Sequence, residues 1–165
     1  MIPPFGPEGK LPPGVHWTTW EELVAHCGGT PHRQWLLDGL ESAIEALRAA
    51  GCRAVYVDGS FVTAKEVPED FDGCWDVMGV EPARLDPVLL RFDQGCAAQK
   101  AKYRGELFPA QLTEGGAGKT FLEFFQIDRE SGNPKGMIAL ALTGDGGRST
   151  EDEGRKPGDG GQRSS

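Results

Sequence analysis

One stretch restricts the fold of this chain more than any other: Val55-Tyr56-Val57-Asp58-Gly59-Ser60, a nine-residue spacer from Phe61 to Glu69, then Asp70-Phe71-Asp72. β-branched and aromatic residues over 53–57 predict a strand that runs into a Gly-Ser turn. Residues 61–69 read as a loop with Pro68 near its end. Residues 70–77 read as a second strand. Its alternation puts Asp70, Asp72, Cys74 and Asp76 on one face, with Phe71, Gly73, Trp75 and Val77 facing a core.

A tight Gly-Ser turn lets backbone N–H groups approach phosphate. Carboxylates at i and i+2 of a strand lie roughly 6–7 Å apart and can share a hard cation, which takes oxygen ligands. The order therefore suits a nucleoside triphosphate with its magnesium. Asp76 lies some 13 Å beyond Asp72 and is expected at the surface or in a supporting role. Asp58 is expected to cap or hydrogen-bond the turn.

Around this centre the chain alternates helices and strands. Residues 1–17, rich in Pro and Gly, read as an ordered arm or a loose entry to the domain. Thr18-Thr19-Trp20-Glu21 predicts a capping box with Thr18 at the N-cap, opening a short helix to about His26. Thr30-Pro31 opens a longer helix whose Leu36, Leu40, Ile44 and Leu47 repeat at helical spacing, with Gly51 as a stop. Asp86-Pro87 predicts another helix through Leu89, Leu90 and Phe92, and 96–104 a further helical piece. Gly105-Glu106-Leu107-Phe108-Pro109 reads as a third strand, Thr120 to about Asp128 as a capped Phe-rich helix, and 137–142 as a final strand. Phe121, Phe124, Phe125, Trp20 and Trp35 read as core or as a partner surface. The expected fold class is α/β (α+β), a small mixed sheet flanked by helices, with a domain over 18–143.

From Gly144 to Ser165 almost no residue is apolar, and a disordered tail is expected. The 165 residues carry a formal net charge of −8, so no broad basic footprint for duplex nucleic acid exists. No apolar run is long enough for a membrane span. Met1-Ile2-Pro3-Pro4-Phe5 does not read as a secretory signal, so a cytoplasmic protein with reduced Cys27, Cys52, Cys74 and Cys96 is expected. His16, His26 and His32 show no ligand spacing, and structural zinc is not expected.

The Gly59-Ser60 turn, the spacer and Asp70-Phe71-Asp72 resemble the signature of the polymerase-beta-like nucleotidyltransferase superfamily. The whole chain also resembles a small bacterial family with a minimal domain of this type, through Leu11-Pro12-Pro13-Gly14, Pro31-His32-Arg33, Asp58-Gly59-Ser60-Phe61 and Asn133-Pro134-Lys135-Gly136. The resemblance implies magnesium-dependent transfer of a nucleoside monophosphate to an acceptor on a protein, an RNA end or a small molecule. It implies that Asp70, Asp72 and Glu106 bind the metal and serve catalysis. Gly59, Ser60 and Lys65 would bind the phosphates. The spacer lacks the arginine often found after the turn, and the third acid is Glu where the superfamily usually has Asp. The alternative is a non-catalytic partner protein that keeps the scaffold, as in toxin–antitoxin or defence pairs.

Gly115-Gly116-Ala117-Gly118-Lys119-Thr120 imitates the end of a phosphate-binding P-loop. The first glycine of that motif is missing, because Thr113 stands there. Too little chain follows for the strand–helix units that carry such an enzyme's other groups. The stretch reads as a glycine loop before a capped helix.

Overall fold

The computed structural model describes residues 2–115, 118–128 and 131–142. Along them the chain runs β1 (Gly14–Thr18), α1 (Trp20–Cys27), α2 (Pro31–Ala49), β2 (Ala54–Asp58), β3 (Phe71–Trp75), α3 (Asp93–Tyr103), β4 (Gly105–Pro109), α4 (Phe121–Phe124) and β5 (Gly136–Ala141). The strands form one sheet in the order β1-β5-β2-β3-β4. The outer pairs β1–β5 and β3–β4 are parallel, and β2 is antiparallel to both β5 and β3. This is the mixed sheet with helices that the alternation of patterns implies. The tail read over 144–165 lies outside the described residues.

The two faces of the sheet have different tasks. Val55, Val57, Phe71, Trp75, Leu107, Ile138 and Leu140 share one face and one apolar cluster with Leu23 of α1 and Leu36, Leu40, Ile44 and Leu47 of α2. Burial of this stripe, about 25 cal/mol per Å² of apolar surface, drives α2 onto the sheet. α2 and α3 approach closely at Gly39, where any Cβ would meet the Tyr103 carbonyl oxygen at 2.2 Å. The opposite face carries Asp58, Asp72 and Glu106 at one end, with Tyr56, Cys74 and Phe108 beyond them. α4 lies by this face: Phe121 stacks on Phe108 at 4.5 Å between ring centroids, and Phe92 stacks on Phe108 at 5.4 Å.

Several boundaries differ from the sequence reading. The arm supplies an edge strand, so the sheet begins at Gly14 and the boundary read between 17 and 18 falls inside β1. The arm is also tied down: Ile2 N–H donates to Glu22 Oε2 at 2.7 Å, and Leu11 is buried. The cap of α1 is Thr19, which accepts from Glu22 N–H; Thr18 donates to the Glu22 carboxylate instead. After Asp86 only a 3₁₀ turn forms over Pro87–Leu90, its Asp86 carboxylate held by Tyr103 and Lys102. α3 begins with Gln94, Gly95 and Cys96 in left-handed conformation and is regular only beyond them. α4 is four residues long, although the expected Thr120–Glu123 capping box is present.

The remaining aromatic residues divide as their positions dictate. Trp20 packs against the core, whereas Trp35 is 48% exposed and lies under the Arg104 guanidinium at 4.4 Å. All four cysteines are buried.

Candidate active site

The sheet register, not the chain, brings the acids together. Asp58 of β2 lies directly opposite Asp72 of β3, and Asp72 lies opposite Glu106 of β4. Opposed residues share a face, with Cβ atoms about 5 Å apart. Three carboxyl groups from three neighbouring strands therefore stand in a row. Asp70, just before β3, joins them: Lys100 Nζ of α3 lies 3.9 Å from Asp70 Oδ2 and 3.0 Å from Glu106 Oε2. Of the residues read as site residues, Asp70, Asp72, Glu106 and Gly59 thus converge. Asp76 does not; it accepts from Met78 N–H and Gln111 Nε2 and shapes the turn after β3.

The packing of so many like charges has a visible cost. Burial, and next the charges of Asp70, Glu106 and Asp58, push the Asp72 carboxyl up to about 7. Burial also raises Asp70, with Lys100 pulling it back. Burial raises Asp58 as well, opposed by the Lys135 ammonium.

Gly59 permits the arrangement. Its φ is +86°, which L side chains rarely adopt, and a Cβ there would lie 2.7 Å from Asp72 Oδ2. The backbone at the turn thus abuts the Asp72 carboxylate. Gly59→Ala is expected to destabilise the fold by about 1–2 kcal/mol and to displace Asp72. Urea denaturation, with nucleotide titration on the same sample, checks both effects. Ser60 opens a 3₁₀ turn over Ser60–Val62 that Thr63 closes by donating to the Ser60 carbonyl at 2.7 Å. Lys65 is exposed at the end of this loop, near enough for its charge to favour the Asp70 carboxylate.

Arg33, which the pattern of acids does not reveal, holds the loop in place. Its guanidinium donates to the carbonyls of Cys27, Phe61, Thr63 and Lys65 at 2.6–3.1 Å, and it lies over the Phe61 ring. His32 contacts the Pro68 carbonyl at 2.5 Å and so fixes the loop's far end. Gln99 sets the other wall: fully buried, it accepts from Leu107 N–H and donates to the Arg91 carbonyl. That bond locks α3 to β4 and places Lys100 beside Glu106. Lys135, one residue before β5, reaches Asp58 Oδ2 at 3.1 Å.

Among the described residues, no three His, Cys, Asp or Glu side chains are gathered into a ready-made metal cage. The glycine loop around Gly115 and Gly118 is closed by a Thr113–Thr120 bridge and a Glu114 N–H to Lys119 carbonyl bond. It leads into the four-residue α4, on a helix too short to present a phosphate-binding terminus. Residues 3–141 match a family of unknown function, DUF6932. No curated protein and no solved structure matches the chain.

Proposed function

We propose, for a chain that belongs to the DUF6932 family of unknown function, magnesium-dependent nucleotidyl transfer from a nucleoside triphosphate to an acceptor on a protein, an RNA end or a small molecule. The observation that carries this reading is the alignment of Asp72 with Glu106 across β3 and β4, with Asp70 beside them and the Gly59 backbone against Asp72. The donors suit the metal: carboxylate oxygens are what magnesium takes. Burial, and next the charges of its neighbouring acids, raise the Asp72 carboxyl, and a divalent cation would favour its ionised form.

Asp70, Asp72 and Glu106 would hold the cation. A magnesium ion held by them would supply Lewis-acid chemistry, easing deprotonation of the attacking hydroxyl and countering charge on the departing pyrophosphate. Glu106, on the outer strand of the three, would take the proton of the acceptor hydroxyl at a carboxylate oxygen. Gly59 N–H and Ser60 would bind phosphate oxygens, with Lys65 countering their charge. Arg33 and His32 keep that loop fixed, so little ordering is left for substrate binding to supply.

The test is pyrophosphate release from each nucleoside triphosphate with magnesium, in the presence of cellular RNA and protein as acceptors. Asp72→Asn is expected to lower the rate by at least about a hundredfold, as loss of a metal ligand does. Equal rates for wild type and variant would contradict the reading. Lys119→Ala is expected to leave nucleotide affinity within about twofold of wild type, which the same titrations check; a large loss would return the glycine loop to consideration.

One observation favours the second reading, a non-catalytic partner in a toxin–antitoxin or defence pair. Lys100 stands where a metal would, as in a site whose acids have become a structural ion pair. Copurification of a partner protein, together with no metal-dependent nucleotide binding, decides for it.

A further inference from the structure

We infer that the Asp58–Lys135 ion pair is exchangeable: a divalent cation entering beside Asp72 takes the Asp58 carboxylate and frees the Lys135 ammonium for the phosphates that arrive with it. The inference rests on the nucleotidyl-transfer reading of the same face and extends it to two residues outside the turn–spacer–acid pattern.

Asp58 is placed for this. It faces Asp72 directly across β2 and β3, on the face that carries Glu106. Between it and Ser60 stands only Gly59, so no side chain separates the turn from the acids. Asp58 is 1% exposed, and its two oxygens differ. Oδ2 takes Lys135 Nζ, whereas Oδ1 is buried and meets no donor in good hydrogen-bond geometry, the adjacent Gly59 N–H favouring the carboxylate only weakly. A buried carboxylate oxygen without a well-placed donor is rare and unfavourable. One that belongs to a row of acids is a ligand atom in waiting.

Charge supports the exchange. Asp58, Asp70, Asp72 and Glu106 bring four carboxyl groups to this end of the sheet, against the ammonium groups of Lys100 and Lys135. A divalent cation corrects that imbalance, and a polyphosphate then requires ammonium groups of its own. Lys135 can supply one. Its side chain is 20% exposed, on a flexible stem at the start of β5, and a single-point ammonium moves between anions more easily than a forked guanidinium. As a purely structural device the pair would be a poor choice, because a buried ion pair contributes little stability over apolar packing.

The experiment uses the full chain and Mn²⁺ as the probe, counting free Mn²⁺ by electron paramagnetic resonance, with and without a non-hydrolysable ATP analogue. Lys135→Gln is expected to tighten Mn²⁺ alone by about fivefold, and to weaken the analogue by about tenfold. Asp58→Asn is expected to weaken Mn²⁺ by about tenfold. If either single variant fails to fold, Asp58→Asn/Lys135→Gln replaces the ion pair by neutral amides and is expected to bind Mn²⁺ about tenfold more weakly than wild type. Mn²⁺ affinities equal to wild type in these variants, while Asp72→Asn abolishes binding, would overturn the exchange and leave the nucleotidyl-transfer reading standing. No Mn²⁺ binding by wild type would overturn both.

Discussion

Asp72→Asn is expected to stabilise the folded protein at pH 8 while abolishing its binding of metal and nucleotide. In the folded state burial and three neighbouring acids hold the Asp72 carboxyl up at about 7, far above its ordinary 3.8. The folded chain therefore binds this proton more tightly than the unfolded chain does. Stability conferred by the protonated form is complete below pH 4 and is lost as pH rises to about 7. Above that pH the ionised group burdens the fold. An amide of the same shape removes the burden and can still donate to Glu106. The gain expected at pH 8 is on the order of 2 kcal/mol, after solvent relaxation is allowed for. That is a rise of several degrees in melting temperature for a domain of this size. Denaturation at pH 5 and pH 8 checks it: wild type should lose stability between the two, and the variant much less. A variant no more stable than wild type at pH 8 would contradict the electrostatic account of the acid row.

The second large effect is expected at Arg33. Arg33→Ala removes one guanidinium and leaves the carbonyls of Cys27, Phe61, Thr63 and Lys65 without it. Arg33 is 7% exposed, so water replaces few of these bonds in place. Each buried group left unsatisfied costs about 1–3 kcal/mol, and the loop relaxes to recover part of that. The net loss is expected at about 3–4 kcal/mol, a large share of the stability of an ordinary domain. Lys is not an adequate substitute, because a point charge cannot serve carbonyls spread across a fork. Arg33→Lys should therefore recover less than half the loss. Guanidinium denaturation of the three proteins measures it. The same variants should bind nucleotide more weakly, since Phe61, Thr63 and Lys65 belong to the loop that follows the phosphate-binding turn.

How much of this was readable from the chain depends on range. The strand over 53–57, the Gly59 turn and the core face of β3 follow from alternation and turn chemistry within a few residues. Glu106 was readable as a lone acid in a short apolar strand after a helix. Its opposition to Asp72 became visible only with the parallel register of β3 and β4. β1 was not readable, because Pro12, Pro13 and Gly14 mask a short edge strand whose partner, β5, lies more than a hundred residues away. After Asp86 the cap forms as expected, with Oδ1 accepting from Val88 N–H while Oδ2 holds Lys102 and Tyr103, yet only a 3₁₀ turn follows it. Gln94 and Cys96 carry no signal for a left-handed backbone.

The basic residues of the site show the same limit. Lys100 lies six residues before Glu106 and Lys135 lies in a loop far from the acids in sequence, and neither position by itself shows that its side chain faces them. Gln99 and the β5 register deliver them. Asp58 is the instructive case. Next to a Gly-Ser turn an aspartate reads as a local cap, and the Gly59 N–H does favour its carboxylate; its stronger partner is Lys135, and its neighbour across the sheet is Asp72. The motif stretches Pro31-His32-Arg33 and Asn133-Pro134-Lys135-Gly136, distant from the acids in sequence, supply the residues that brace the loop and neutralise Asp58.

The most direct test of the central claim is calorimetric titration of a nucleoside triphosphate with magnesium into wild type and into Asp70→Ala/Asp72→Ala. Binding by wild type that requires magnesium and is lost in the double variant is the predicted result. Binding of equal strength by both proteins would contradict the placement of the site on these acids.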